Sequence, residues 1–559
     1  MKMSIAAFGL GSALIAASAS AQTASAPVTL TRKTDSISLV PSATLRAFKV
    51  LDANATLRIG RAIERGGLLT GTSKLSAGIF RSTQASAMLY ASTETAAELT
   101  RPVASATSEL PVYSLNGLDV VVTQDIIVQF LPSVSDEAQR LLAASIGATS
   151  RPITGAPGRI FTLSSPAAAL AAVDGLNANP DVRYAEPNFV GIFPPRPSVA
   201  PRPMNVAGPV TVPPPPLTTS VTATAAFPSD ALFAQQWGLH NTAQKERDIR
   251  IEAAWRATRS SAGVTIAILD DGVDPDHPDL KDKIVHPFDA IAETNSQKPN
   301  SWDAHGTASA GIAAAATNNG LGIAGVGLEA KIMPVRIAST DETPNADGTR
   351  TWVTSMEIIG RAIYHAVDSG ADVLSNSWNG GLGATNSAFV SDALRYALTQ
   401  GRGGKGTVVV FSAGNGGFGV EWPATLAASL DIIAVAATNE WDQLKTATSD
   451  DHETWWASDV GTEVTVAAPG VHLVTTDISG AGGFTVGDYV FNFNGTSGAA
   501  PHVAGVAALL IAAHPEWTAQ QVRDKIASTA DKSVLLPDQS FASFGRLNAC
   551  KALDAPVCD

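Results

Sequence analysis

Hydrophobic positions are grouped differently along the two halves of the chain. In the second half, residues 264–269 (VTIAIL) form an apolar, β-branched run that reads as a buried strand, and residues 371–375 (ADVLS) form a similar strand-like piece. Residues 308–317 are alanine-rich and helical in character. Residues 499–513 form a small-residue apolar stretch whose length predicts a fully buried helix. The first half carries a smaller pattern. Residues 125–130 (DIIVQF) alternate like a strand, residues 136–146 and 167–177 have helical spacing, and residues 180–188 (PDVRYAEPN) follow. The larger pattern predicts an α/β domain and the smaller one an α+β, ferredoxin-like module.

Three other segments carry no such signal. Residues 1–21 have a positive start at Lys2, an apolar stretch over 5–17 and Ala19-Ser20-Ala21 before Gln22, the pattern of a secretory signal peptide with an A-x-A cleavage site. Residues 22–117 are rich in Ala, Ser and Thr and least informative, with short amphipathic pieces such as 43–64. Between residues 194 and 216 lie ten prolines, four of them consecutive, so 191–228 read as an extended linker. The expected organisation is a signal peptide (1–21), a poorly defined pro-region (22–117), a small domain (118–190), the linker, and a large domain (229–559). Pro501 and His502 interrupt the apolar stretch after Ser497, and no stable membrane span is expected.

Candidate chemistry begins at Asn494-Gly495-Thr496-Ser497-Gly498, a tight turn that places a hydroxyl at the start of the predicted buried helix. A helix start offers unpaired N–H groups and a positive dipole end, which suit a developing oxyanion. A serine needs a base and an orienting carboxylate. Asp270 stands at the end of the 264–269 strand, where sites of open α/β sheets lie, and His305 follows 35 positions later. The order Asp270, His305, Ser497 differs from that of chymotrypsin and of α/β-hydrolases.

With AILDDGVD (267–274), HPDL (277–280), HGTASAG (305–311), GIAGVGLEAKIMPVRI (322–337), SAGNGG (412–417), VTVAAPG (464–470), NGTSGAAPHVAG (494–505) and GRLNA (545–549), the chain resembles the subtilisin-like serine proteases over residues 230–552. The resemblance implies a three-layer α/β/α catalytic domain with a mostly parallel sheet. It implies a triad of Asp270, His305 and Ser497, with the Asn415 side chain and the Ser497 N–H as the oxyanion hole. Asp271 resembles the second aspartate of the kexin and furin branch and is read as structural, as is His502. Ser377, Trp378, Asn379 and Gly380 match the family segment that lines the S1 pocket and pairs with substrate as an added strand. No acidic cluster around them supports dibasic specificity.

The same resemblance implies a structural Ca²⁺ site drawing on Asp230, Asp279 and Asn319, with carbonyls of Ala316, Leu321 and Ile323, an oxygen-only set of the kind calcium takes. It also implies that residues 118–190 are an inhibitory propeptide that assists folding and blocks the site until it is cut somewhere in 189–228. Cys550 and Cys558 would form one disulfide in an exported protein. A net charge of −13 argues against nucleic acid as a partner. The expectation is a monomeric, secreted or periplasmic serine endopeptidase made as a zymogen, acting on protein or peptide substrates. A catalytically inactive peptide-binding relative and a peptide ligase are the alternatives.

Overall fold

The computed structural model describes residues 27–31, 36–41, 45–50, 77–81, 87–92, 107–115, 118–193, 228–258, 261–340, 352–380 and 386–558. The expected signal peptide and most of the proline-rich linker lie outside them.

The ferredoxin-like pattern of the first half is realised as β1 (Asp125–Phe130), α1 (Asp136–Ser145), β2 (Thr149–Pro152), β3 (Arg159–Thr162), α2 (Pro166–Ala178) and β4 (Val182–Pro187). These strands form an antiparallel sheet in the order β2-β3-β1-β4. Both helices start at a serine, Ser135 and Ser165, whose side chain accepts the N–H of the third helical residue. Alternation along β1 divides its residues between two cores. Ile126, Val128 and Phe130 pack under α1 and α2, while Ile127 joins Ile160 and Tyr184 against the large domain.

The large domain is built on seven parallel strands. In chain order they are β6 (Thr265–Asp270), β7 (Phe288–Asp289), β8 (Lys331–Arg336), β10 (Val373–Asn376), β11 (Val408–Ser412), β12 (Ile432–Thr438) and β13 (Val464–Pro469). In space the order is β7-β8-β6-β10-β11-β12-β13. Every pairing is parallel, and both faces are covered. Ala267, Leu269, Leu374, Val409 and Phe411 pack against α4 (Met356–Asp368) and α5 (Ala388–Gly404). Ile266, Ile268, Val373, Val408 and Val410 pack against α3 (His305–Ala314) and α6 (Thr496–Ala513). This is the expected α/β/α arrangement.

Pro501 does not interrupt α6. α6 is continuous, and by length and composition alone it could cross a membrane, but 89% of its apolar window is buried inside the protein. Its apolar character on all sides is that of a core helix.

Residues 22–117, which gave no pattern, contribute strands. Ala77–Arg81, Ala87–Ser92, Leu45–Val50 and Thr107–Leu110 form one antiparallel sheet. Val28–Thr31, Ser36–Pro41, Val112–Leu115 and Leu118–Val121 begin a second, which continues through β5 (Val190–Phe193) and β9 (Trp352–Ser355) to Ser339–Thr340. That sheet crosses from the N-terminal region into the large domain. The strand β5 runs over the expected boundary at residue 190. Cys550 and Cys558 are joined, with Cα atoms 5.5 Å apart.

Candidate active site

Asp270 ends β6, at the carboxyl edge of the sheet, and is fully buried. Its Oδ1 accepts the Asp271 N–H at 2.9 Å and lies 2.8 Å from His305 Nδ1. An ionised carboxylate can only accept, so the Nδ1 of His305 carries the proton and Nε2 keeps a lone pair. His305 opens α3, and its side chain keeps 17% exposure. Trp352 stands edge-on to the ring at 5.5 Å and Phe493 lies 5.7 Å away. The His305 ring therefore has one carboxylate neighbour and apolar flanks.

Asp271 faces elsewhere. Its Oδ1 accepts the Gly306 N–H at 2.7 Å, capping α3, whose cap residue Ala304 has no polar side chain. Burial first, and then the charges of Asp270 and Asp303, push its carboxyl well above the usual range. His502 sits inside α6 with Nδ1 2.8 Å from Gly498 O, and burial lowers it to about 4. It is a neutral packing residue, as the sequence suggested.

Ser497 is the second residue of α6, which follows Gly495 at φ +114°, a conformation that a side chain would strain. The Ser497 N–H, in the first turn, has no intrahelical acceptor. The Ser497 hydroxyl donates to Ser377 O at 3.0 Å, and the Ser377 hydroxyl donates to Ser497 O at 2.9 Å. Helix α6 packs beside α3, bringing this turn to the His305 side of the sheet.

Asn415 follows β11. Its Oδ1 accepts both the N–H (2.8 Å) and the hydroxyl (2.9 Å) of Thr496. Two donors at one end of the amide fix its orientation and leave Nδ2 as the donor end. Sequence reading named Asn415 but missed Thr496, although Thr496 adjoins the serine in the same motif.

Of the expected substrate segment, Ser377 is tied to Ser497 as described, and the Gly380 N–H donates to Trp422 O at 2.8 Å. The Trp378 ring is buried edge-on against Phe411 at 5.2 Å, while Asn379 is half-buried. A neighbouring strand escaped sequence reading. It is β9, on which β5 lies as an antiparallel strand, Val190 opposite Ser355 and Phe193 opposite Trp352. β5 therefore runs toward the residue that flanks His305. Only four residues of weak alternation mark β9 in the sequence, too few to distinguish it from a loop.

The small domain is held on the large one by polar contacts at two helix starts. The Glu186 carboxylate accepts from Ser387 Oγ (2.6 Å), Ala388 N (2.9 Å) and Phe389 N (3.1 Å), at the first turn of α5. Asn188 Oδ1 accepts the Glu357 N–H in the first turn of α4 at 3.2 Å, and its Nδ2 donates to Glu357 Oε2 at 3.1 Å. Arg151 reaches the same Glu357 at 2.9 and 3.0 Å, and Arg183 pairs with Asp392 at 2.8 Å. Carboxylates at helix N-termini meet free N–H groups and the positive dipole end.

The residues named for a metal come together. Asp279 is fully buried and Asp230 nearly so. Asp230 accepts the Asn318 N–H at 2.7 Å. Asp279 accepts from Asn319 Nδ2 (2.8 Å), the Ile323 N–H (3.0 Å) and Tyr489 OH (2.9 Å). The Ala316 N–H donates to Asp279 O at 2.8 Å, and the Leu321 N–H to Asn319 Oδ1 at 2.8 Å. Neither carboxylate makes an ion pair with a basic side chain among the described residues. Two buried carboxylates and an amide oxygen in one loop cluster fit a hard, oxygen-seeking cation.

The Subtilase family profile matches residues 261–546, and the Fervidolysin N-terminal prodomain profile matches residues 121–188. A thermophilic serine proteinase of Bacillus sp. (strain AK1) is 33% identical over 432 residues, covering 77% of this chain and 87% of that protein. A calcium-dependent protease of Nostoc sp. is 32% identical, over 58% of this chain and 51% of its own length. The crystal structure of fervidolysin from Fervidobacterium pennivorans, described as a keratinolytic enzyme related to subtilisin, superposes with a TM-score of 0.56 at 22% identity, over 78% of this chain and 62% of that one. That last likeness is one of fold. The chain thus belongs to the subtilase family of serine proteases and carries a fervidolysin-like N-terminal prodomain.

Proposed function

We propose that this chain is an exported serine endopeptidase made as a zymogen, hydrolysing peptide bonds through Asp270, His305 and Ser497. The observation that carries the reading is the 2.8 Å contact of His305 Nδ1 with the buried Asp270, which leaves Nε2 free to act as the base.

The Ser497 hydroxyl, which donates to Ser377 O, turns its proton to His305 Nε2 and attacks the scissile carbonyl carbon. The imidazolium so formed is stabilised by Asp270. The tetrahedral oxyanion takes hydrogen bonds from Asn415 Nδ2 and the Ser497 N–H, donors set before the reaction begins. Collapse expels the amine, protonated by His305, and leaves an acyl ester on Ser497. A water molecule, deprotonated by the same Nε2, attacks the ester, and His305 returns that proton to Ser497 Oγ as the carboxylic acid leaves. Ser377, Trp378, Asn379 and Gly380 on one side and β9 on the other hold the substrate as an added strand. Main-chain pairing of this kind favours cleavage within a chain and broad sequence tolerance.

The prodomain uses the same groove. β5 on β9 occupies an edge to which a substrate strand would pair, and the contacts of Glu186, Asn188, Arg151 and Arg183 anchor it. Activation then requires a cut after Phe193, in the segment that follows β5. Calcium, when bound, would be held by Asp230, Asp279 and Asn319, with carbonyls of Ala316, Leu321 and Ile323, and would neutralise the two buried carboxylates. A relative named as a calcium-dependent protease supports that reading.

The test is covalent labelling with a fluorophosphonate after activation. Stoichiometric labelling of wild type at Ser497, lost in Ser497→Ala and slowed in Asp270→Asn, is the expected result. An unlabelled Ser497 in correctly folded protein overturns the reading in favour of a binding role.

A further inference from the structure

The loop of residues 413–417, which carries Asn415, leaves β11 without helix or strand geometry of its own. Thr496 fixes the amide of Asn415, and its Oγ1 accepts the Gly414 N–H at 3.2 Å, one hold on the loop backbone. That backbone is wrapped around Asp459, which is fully buried. Asp459 Oδ1 accepts the Gly416 N–H at 2.9 Å and the Phe418 N–H at 2.8 Å, and the Asp459 N–H donates to Gly414 O at 2.8 Å. The residues before and after Asn415 are therefore both bonded to one aspartate. The Gly417 N–H to Ala457 O (3.0 Å) and the Val460 N–H to Phe418 O (3.0 Å) extend the same seam. The fit is close. Gly414 has φ +119°, and a Cβ there would lie 2.1 Å from Asp459 Oδ2. Only glycine admits the carboxylate this near.

We propose that Asp459 is a positioning residue for the oxyanion hole, setting where the Asn415 amide stands when the tetrahedral intermediate forms. The proposal rests on the role given to Asn415 above. The reasoning is geometric. An oxyanion donor is effective only within a few tenths of an ångström of its aim, and a loop holds such a position only if its backbone is pinned. An aspartate oxygen that accepts two N–H groups ties the loop at two points at once. Asp459 touches neither substrate nor the reacting atoms, so its effect must pass through Asn415.

The experiment compares Asn415→Ala, Asp459→Asn, Asp459→Ala and the double variant Asn415→Ala/Asp459→Ala, each prepared as the full chain and matured in trans with a trace of wild type. Cleavage of a peptide anilide gives kcat and KM, and two inhibitors separate the binding states. A peptide boronate places an oxygen in the oxyanion hole, whereas the isolated prodomain binds the resting groove. Asn415→Ala should lower kcat by about two to three orders of magnitude. Asp459→Ala should lower kcat by about 30-fold or more with KM within about threefold, and Asp459→Asn by about tenfold, because the donor is misplaced rather than removed. Boronate affinity should fall with kcat while prodomain affinity holds. In the Asn415→Ala background the loss of Asp459 should cost less than about threefold, since the residues act as one unit.

Because an Asp459→Ala chain can fail to fold, Asp459→Asn, equal in shape, carries the test through the ratio of boronate to prodomain affinity. An unchanged ratio, or losses that add fully to those of Asn415→Ala, overturns the role of Asp459. Wild-type kcat in Asn415→Ala overturns the oxyanion reading itself, and the Asp459 proposal with it.

Discussion

Ser377 and Ser497 exchange hydrogen bonds: each hydroxyl donates to the other's backbone carbonyl, at 2.9 and 3.0 Å. The cause lies four residues further on. In a regular helix Ser497 O would accept the N–H of residue 501, but residue 501 is proline and has none. The Ser377 hydroxyl takes the vacant place. A proline inside a core helix thus frees the carbonyl that ties the substrate segment to the serine turn.

Removing that hydroxyl should therefore destabilise the protein, and restoring the helix bond should offset the loss. In a Ser497→Ala background, which prevents self-digestion, Ser377→Ala leaves a buried carbonyl without its donor and should cost about 1–3 kcal/mol. Adding Pro501→Ala supplies the missing N–H, and Ser377→Ala should then cost less than half as much. Calorimetric melting of the four proteins checks this. Equal costs in both backgrounds would contradict the link.

The prodomain contacts make a second prediction. Glu186 caps α5 through three donors, so isolated prodomain carrying Glu186→Ala should inhibit the mature enzyme at least about tenfold more weakly, the range for losing a charged cap and its hydrogen bonds. Glu186→Gln keeps an acceptor and should fall between. Inhibition constants against a peptide anilide give the comparison, and unchanged values would remove Glu186 from the docking account.

Acid–base behaviour gives a third. His472 lies 2.8 Å from Glu440 and 3.4 Å from Glu453, and its backbone N–H donates to Asn494 Oδ1, three residues before Ser497. Burial opposes its charge, but hydrogen bonds and charges from Glu440 and Glu453 outweigh burial and raise it from 6.5 to about 10. A pKa raised on folding stabilises fully below the unfolded value and ceases to do so as pH passes the folded one. The His472 contribution should therefore be complete below about 6.5 and disappear toward about 10. Melting temperature against pH should fall across that window in wild type and be flatter in His472→Gln. Parallel profiles would contradict the assignment.

Chelation gives a fourth. If Asp230, Asp279 and Asn319 hold calcium, excess chelator should lower the melting temperature and added calcium restore it. At a hundredfold excess of calcium over its dissociation constant the stabilisation is about 2.7 kcal/mol. Asp279→Asn should remove the response to calcium. A wild-type melting temperature indifferent to chelator would mean these carboxylates are satisfied by their hydrogen bonds alone.

Much of the candidate site and of the fold is legible in sequence where a local pattern alone names the residue or the element. Asp270 at a strand end, His305 at a helix start and Ser497 in a glycine turn are of this kind, and so is the ferredoxin-like small domain. What could not be read depends on partners distant in sequence. β9 is four residues long, and its function comes from β5, about 160 positions away. Residues 22–117 lack a strong pattern because several of their strands are completed by pairing in a sheet that ends on the large domain. Asp459 looks like any loop aspartate until the backbone of residues 414–418 is found around it. Pro501 reads as a helix breaker, yet its missing N–H is accommodated by Ser377.

The most direct measurement is the intact mass of the chain lacking residues 1–21, refolded with calcium, as wild type and as Ser497→Ala. The account predicts that wild type alone loses its N-terminal region, with the new N-terminus beyond Phe193, and that Ser497→Ala stays whole. Cleavage of both proteins at the same bond, or of neither under conditions where both are folded, would contradict it.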